Sequence, residues 1–149
     1  MKQHFIHMFE YNDWANKATA ASIKETINID AKAISIFGHI INAQKLWLSR
    51  AAEQTTIINP WQNLSLDEAI ILSSQNTKDW LGFLNDITES DFQVSVKYVN
   101  SKGEHYTNTI KEILTQVINH AAYHRGQVAN FVRQSGGNPA LTDYIVYVR

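Results

Sequence analysis

The chain has 149 residues, a length that suits one domain spanning 1–149 and suffices to bury a hydrophobic core without staples. Apolar residues make up 44% and charged residues 18%, which excludes a disordered chain, and a formal net charge of −1 with no local run of Lys and Arg gives nothing with which to hold nucleic acid. The absence of cysteine removes disulfides, thiolate metal sites and thiol nucleophiles; with neither a membrane-length apolar stretch nor a secretory h-region in "MKQHFIHMFEYNDW", a soluble, cytoplasmic protein is expected.

The first predicted helix carries Phe5, Phe9, Asn12, Asn16, Ala20, Ile23 and Ile27 on one face at spacings of three and four, so its apolar stripe contains two amides. The second opens after Asp30, a good N-cap, and presents Ala33, Phe37, Ile40, Trp47 and Ala51, ending near Glu53. Ser65 and Glu68 form a capping box that opens the third helix, which runs through Leu66, Ala69, Ile70, Trp80, Leu81, Leu84 and Ile87. The alternation in "FQVSVKYV", followed by "NSKGE" and "HYTNT", predicts a short hairpin. A second capping box, Thr109 with Glu112, opens the fourth helix, whose stripe is Ile110, Leu114, Val117, Ala121, His124, Val128 and Phe131, and "SGGNP" stops it. The tail "LTDYIVYVR" is apolar enough to dock, as a strand or a short helix. Both prolines, Pro60 and Pro139, fall between these segments.

Four amphipathic helices predict an all-α four-helix bundle with a β-hairpin-like excursion between helices three and four. The short first link makes helices one and two antiparallel. About eleven residues between helices two and three, extended at roughly 3.3 Å each, can span the bundle, so a topology other than up-down-up-down is open.

Two imidazoles interrupt the stripe of helix four. His120 and His124, four residues apart, lie one above the other on a core-facing surface, close enough to share one metal ion. Core histidines held by a buried Asn or Tyr would give the same pattern. A metal site needs a third ligand, for which His4, His7, His39 and His105 are the candidates. Of these, His39 lies mid-helix at the edge of the apolar arc of helix two, whereas the others fall at the N-terminus or in the excursion. No Glu has a His three residues later, which removes carboxylate di-iron bundles, and Ala121 stands where a zincin has Glu.

The segments "YNDWANKA", "GHIINAQKLW", "NHAAYHRGQ" and "GGNPALTDYIVYVR", in this order over essentially the whole chain, resemble the DinB-like (damage-inducible, YfiT-like) family, the H-x-x-x-H-R-G-Q element being the most specific part. The resemblance implies an up-down-down-up bundle and a divalent metal held by His39, His120 and His124. Three imidazoles suit zinc, nickel, iron or copper alike.

Around these ligands, Gln127 faces the same way as both helix-four histidines and is a candidate to orient a ligand or water. Asn12 and Asn16 are candidates to hold imidazole N–H groups, or else form an interhelical network. Arg125 points about 100° away from the histidines, which suits an ion pair or a loop anchor. Gly126 suits close helix packing.

The resemblance further implies a metal-dependent enzyme acting on a small molecule. A thiol-dependent S-transferase in detoxification or stress response, with a low-molecular-weight thiol as cosubstrate, is the leading reading. A metal-dependent hydrolase and a non-catalytic metal-binding or interaction module are the alternatives, since no Asp or Glu sits on the stripe beside His120 or His124 as a general base. Homodimers are common among relatives, but no interface is legible in this sequence.

Overall fold

The structure, a computed structural model, describes residues 1–100 and 102–149. Its elements are α1 (Lys2–Glu25), α2 (Ala31–Ala51), α3 (Leu66–Asp86), a 3-10 turn (Asp91–Gln93), β1 (Ser95–Val99), β2 (His105–Thr109), α4 (Ile110–Gln134) and a one-turn α5 (Tyr144–Tyr147). The helix starts are where the caps place them. Asp30 accepts from the Lys32 backbone N–H, and both Ser65–Glu68 and Thr109–Glu112 are complete capping boxes. The expected hairpin is present, with β1 and β2 antiparallel and Tyr98 opposite Tyr106; residue 101 lies outside the described residues. One expectation changes, and one open alternative resolves. The first helix stops at Glu25, and Asn28, with φ of 58°, turns the chain, so Ile27 is exposed rather than on the buried stripe. The undecided tail is helical, with Tyr144 and Tyr147 against His7, Tyr11 and Trp14 of α1 and the Tyr11 hydroxyl donating to the Thr142 carbonyl at 2.7 Å.

Helix directions follow from which ends share a core. One apolar cluster joins Phe5 and Phe9 of α1, Ala51 of α2, Trp80 and Leu84 of α3, and Ile110, Ile113 and Leu114 of α4. The other joins Ala20 and Ile23, Ala33 and Phe37, Ala69, and Val128 and Val132. The start of α1 and α4 thus meets the end of α2 and α3, which is the up-down-down-up arrangement. Helix α1 packs on α3 and α4, and α2 packs on the same two, so α1 and α2 are antiparallel but lie across a diagonal. Between α3 and α4, the 3-10 turn and the hairpin cap the first cluster with Phe92 and Val96 respectively, both buried.

Between the two apolar clusters lies a polar layer. Asn12 and Asn16 of α1, Gln44 of α2, and Ser73 and Asn76 of α3 are all buried there, and Arg125 reaches in from α4. Asn76 ties α3 to α2 by donating to the Ile41 carbonyl at 2.8 Å. Such a layer fixes helix register, because sliding a helix by a turn would strand these groups in an apolar core. It also sets the level at which α2 and α4 present their histidines.

Candidate metal centre

Helix α4 is flanked by α1 and α2, and its sequence serves both neighbours. His120 and His124 face α2, where His39 sits mid-helix; one nitrogen from each of the three rings lies within 4.8 Å of the others. His39 is buried and the other two are half-buried. The structure thus brings together the three histidines named as ligands, from α2 and α4, in a cluster that could hold a metal ion.

The hydrogen bonds determine which nitrogen each ring offers. The His39 Nδ1–H donates to the Pro60 carbonyl at 2.9 Å, and the His124 Nδ1–H donates to Gln127 Oε1 at 2.8 Å. A backbone carbonyl and an amide oxygen only accept, so the proton must sit on Nδ1 in both rings and Nε2 carries the bare lone pair. Nε2 of His39 in turn stands 3.2 Å from Nε2 of His120. Two bare ring nitrogens at that distance repel, so a proton or a cation has to lie between them. Tetrahedral coordination at 2.0–2.1 Å sets ligand nitrogens about 3.3 Å apart, so the observed separation suits an ion as well as a hydrogen bond. The donor set, three imidazoles with no carboxylate or thiolate, fits a divalent first-row metal.

Electrostatics favour the neutral form of His120 and His39, the form metal ligation requires. Burial, and then the neighbouring His124 and His39, push His120 down to about 4. Burial also lowers His39, partly opposed by its bond to Pro60.

Trp61 and Pro60 had no part in the expected site. The Trp61 indole lies flat on the His39 imidazole, centroids 3.7 Å apart and planes 8° from parallel, with its edge toward His124. Its loop is tied down beside the site, since Asn42 Nδ2 donates to the Gln62 carbonyl at 2.9 Å and the Trp61 N–H to Asn59 Oδ1 at 2.9 Å. A tryptophan in "NPWQN", a polar turn between two helices, was the available signal.

The remaining candidates fall elsewhere. His4 and His105 are exposed, and His7 packs on the tail tyrosines. Gln127 accepts from the His124 Nδ1–H. Asn12 and Asn16 do not: both amide oxygens accept from Arg125 Nη1, at 2.7 and 3.0 Å, so they belong to the interhelical network on the α1 side. Among the described residues Arg125 makes neither an ion pair nor a loop anchor; its partners are all on α1. It is 2% exposed, and its guanidinium also lies over the Tyr11 ring. One residue after His124 means about 100° around the helix, which is the direction of α1. Gly126 meets nothing within 4 Å of where a Cβ would be, so it does not serve close packing.

Comparison with known proteins follows the same line. The family model for the DinB family matches residues 1–149. The protein DinB of Bacillus subtilis is 23% identical over 166 residues, covering 99% of this chain and 95% of the relative. Among solved structures, a DinB-like protein from Bacillus subtilis superposes with a TM-score of 0.66 at 17% identity, covering 93% of this chain and 95% of that one. A DinB-like protein from Bacillus cereus does so with a TM-score of 0.66 at 18% identity, covering 93% of each. With a bundle of this topology and a family match from end to end, the chain belongs to the DinB family.

Proposed function

We propose that the protein is a metal-dependent enzyme, a thiol-dependent S-transferase in detoxification or stress response, holding one zinc, nickel or iron ion between His39, His120 and His124. The observation that carries this reading is the pair of Nδ1–H bonds, His39 to Pro60 and His124 to Gln127, which leave both Nε2 lone pairs free, in rings that lie with His120 in one cluster. His39, His120 and His124 would hold the ion as neutral imidazoles, and its charge would then serve to lower the pKa of a thiol or water beside it.

The preference for a thiol over water follows from the surroundings. A free thiol has a pKa of about 8.5 and bulk water about 15.7, so the thiol needs far less assistance to lose its proton. Among the described residues no carboxylate joins the histidine cluster to act as a base. The chain's own residues hold the rings in the required tautomer, and Trp61 covers one face of His39 against bulk water. The sulfur then displaces a leaving group from an electrophilic small molecule, and the thiol proton passes to solvent.

The test is to incubate a low-molecular-weight thiol with an aryl halide and metal-loaded protein. Loss of thiol and appearance of the thioether only when metal is present supports the reading. Turnover of an ester or amide panel without thiol favours the hydrolase instead, and metal binding without turnover in either assay favours a non-catalytic metal-binding module.

A further inference from the structure

Residues 52–65 join α2 to α3 without helix or strand, and one part of that link is fastened to His39 from two directions. The Pro60 carbonyl accepts the His39 Nδ1–H at 2.9 Å, and that N–H lies in the plane of the ring. The Trp61 indole lies on the face of the same ring, centroids 3.7 Å apart and planes 8° from parallel. The hydrogen bond selects which edge of the imidazole meets the link, and the stack opposes rotation of the ring out of its plane. Among the described residues, only His39 of the three is held in both ways. His124 bonds Gln127, but it meets His39, Trp61 and Tyr123 edge to face.

The fastening is firm on one side and slack on the other. Asn42, buried three residues after His39 on α2, donates from Nδ2 to the Gln62 carbonyl at 2.9 Å. Asn59 accepts twice, from the Gln62 N–H on its carbonyl at 3.1 Å and from the Trp61 N–H on Oδ1 at 2.9 Å, and Leu64 packs on an apolar cluster of the bundle. Upstream, residues 55–58 make no hydrogen bond among the described residues, and Ile57 is 99% exposed. A segment tied at one end and free of bonds at the other can lift without unfolding the helices it joins. Trp61 itself is 57% exposed, so core packing does not account for its place.

We infer that residues 59–62 form a clamp on His39, in which Trp61 is a positioning residue that acts through the imidazole and sets how fast a metal ion leaves the histidine cluster. The inference rests on the metal reading of the preceding subsection. With Nε2 ligated, the His39 ring gives up electron density, so its Nδ1–H becomes a better donor to Pro60 and the ring a partial cation over an indole face. Both contacts are stronger in the loaded protein than in the empty one. By linkage, the closed clamp strengthens metal binding by the same factor by which metal strengthens the clamp. Release requires His39 to turn away, and the ring cannot tip while the indole covers its face.

The release rate of zinc from loaded protein, followed with a chromophoric chelator and extrapolated to zero chelator, tests the clamp. Trp61→Ala is expected to release zinc about tenfold faster than wild type, as for loss of an outer partner to a ligating histidine. Trp61→Phe, which keeps a face to stack, should fall between the two. Hydrogen exchange across residues 59–62 is expected to slow in wild type when zinc is added, a response that a merely structural tryptophan would not give. Release from a folded Trp61→Ala at the wild-type rate, or exchange across residues 59–62 that zinc leaves unaltered, overturns this inference and leaves the metal reading standing. Wild-type protein that takes up no zinc overturns both.

Discussion

Replacing Gln127 by leucine removes the acceptor that holds the His124 ring and leaves every proposed ligand in place. Gln127 Oε1 receives the His124 Nδ1–H at 2.8 Å, and the other fixed ring, His39, relies on the Pro60 backbone carbonyl, which no side-chain substitution can delete. Without the acceptor, the His124 proton distributes between its two nitrogens, and the ring loses both tautomer and orientation. A hydrogen bond to a group that acquires charge contributes about 1.5–3 kcal/mol. Loss of such an outer partner to a ligating histidine typically costs about 10–100-fold in affinity, or roughly 1.4–2.7 kcal/mol. Both routes reach the same range, so Gln127→Leu is expected to weaken zinc binding by about 10–100-fold, with circular dichroism unchanged. Gln127→Glu, a stronger acceptor, should hold zinc at least as tightly as wild type. Competition against a chromophoric chelator measures all three proteins. Zinc affinity within twofold of wild type in a folded Gln127→Leu would refute the reasoning that the outward hydrogen bonds prepare the nitrogens.

Other consequences are as direct. At Gly137, a Cβ would stand 2.1 Å from Thr26 Oγ1 and 2.9 Å from its Cβ, so Gly137→Ala should cost about 1–3 kcal/mol, read as a lower Tm, with much of the loss recovered by adding Thr26→Gly. Thr109→Ala removes the side-chain acceptor for the Glu112 N–H and should cost about 0.5–2 kcal/mol in urea unfolding without altering the α2–α4 histidine set. In metal-free protein, His120 titrates near 6.5 when unfolded and about 4 when folded, so the unfolded chain binds more protons between those values. Stability should therefore fall as pH drops from about 6.5 toward 4, and His120→Gln should flatten that part of the profile; an identical slope in the variant would count against a buried neutral imidazole.

Much of the architecture was legible because its signals are local. The two S/T-x-x-E boxes and Asp30 sit at the helix starts, and the alternation from Val94 to Tyr98 marks the hairpin. The i,i+4 spacing of His120 and His124 likewise fixed which face they share, and the third partner, His39, came from the family resemblance. What stayed hidden depends on which helix lies beside which. Asn12 and Asn16 were visible as amides on a buried stripe, but a helical wheel gives an angle and no neighbour; only the packing of α1 on α4 shows that Arg125 answers them. For the same reason an ion pair or a loop anchor was expected of Arg125, since an arginine buried without a carboxylate is rare enough to be a poor first guess. Trp61 and the Pro60 carbonyl escaped notice because a loop has no period from which its direction can be read. Ile27 continued the spacing of α1 past Glu25, where the helix stops just ahead of the turn at Asn28.

The central claim is that three imidazoles from α2 and α4 hold one divalent ion, and metal content tests it most directly. Elemental analysis of protein purified without an affinity tag, alongside His124→Ala prepared identically, is expected to find close to one equivalent of a divalent transition metal in the first and little in the second. Equal metal content in the two proteins, or none in either after incubation with zinc, nickel and iron, would contradict it.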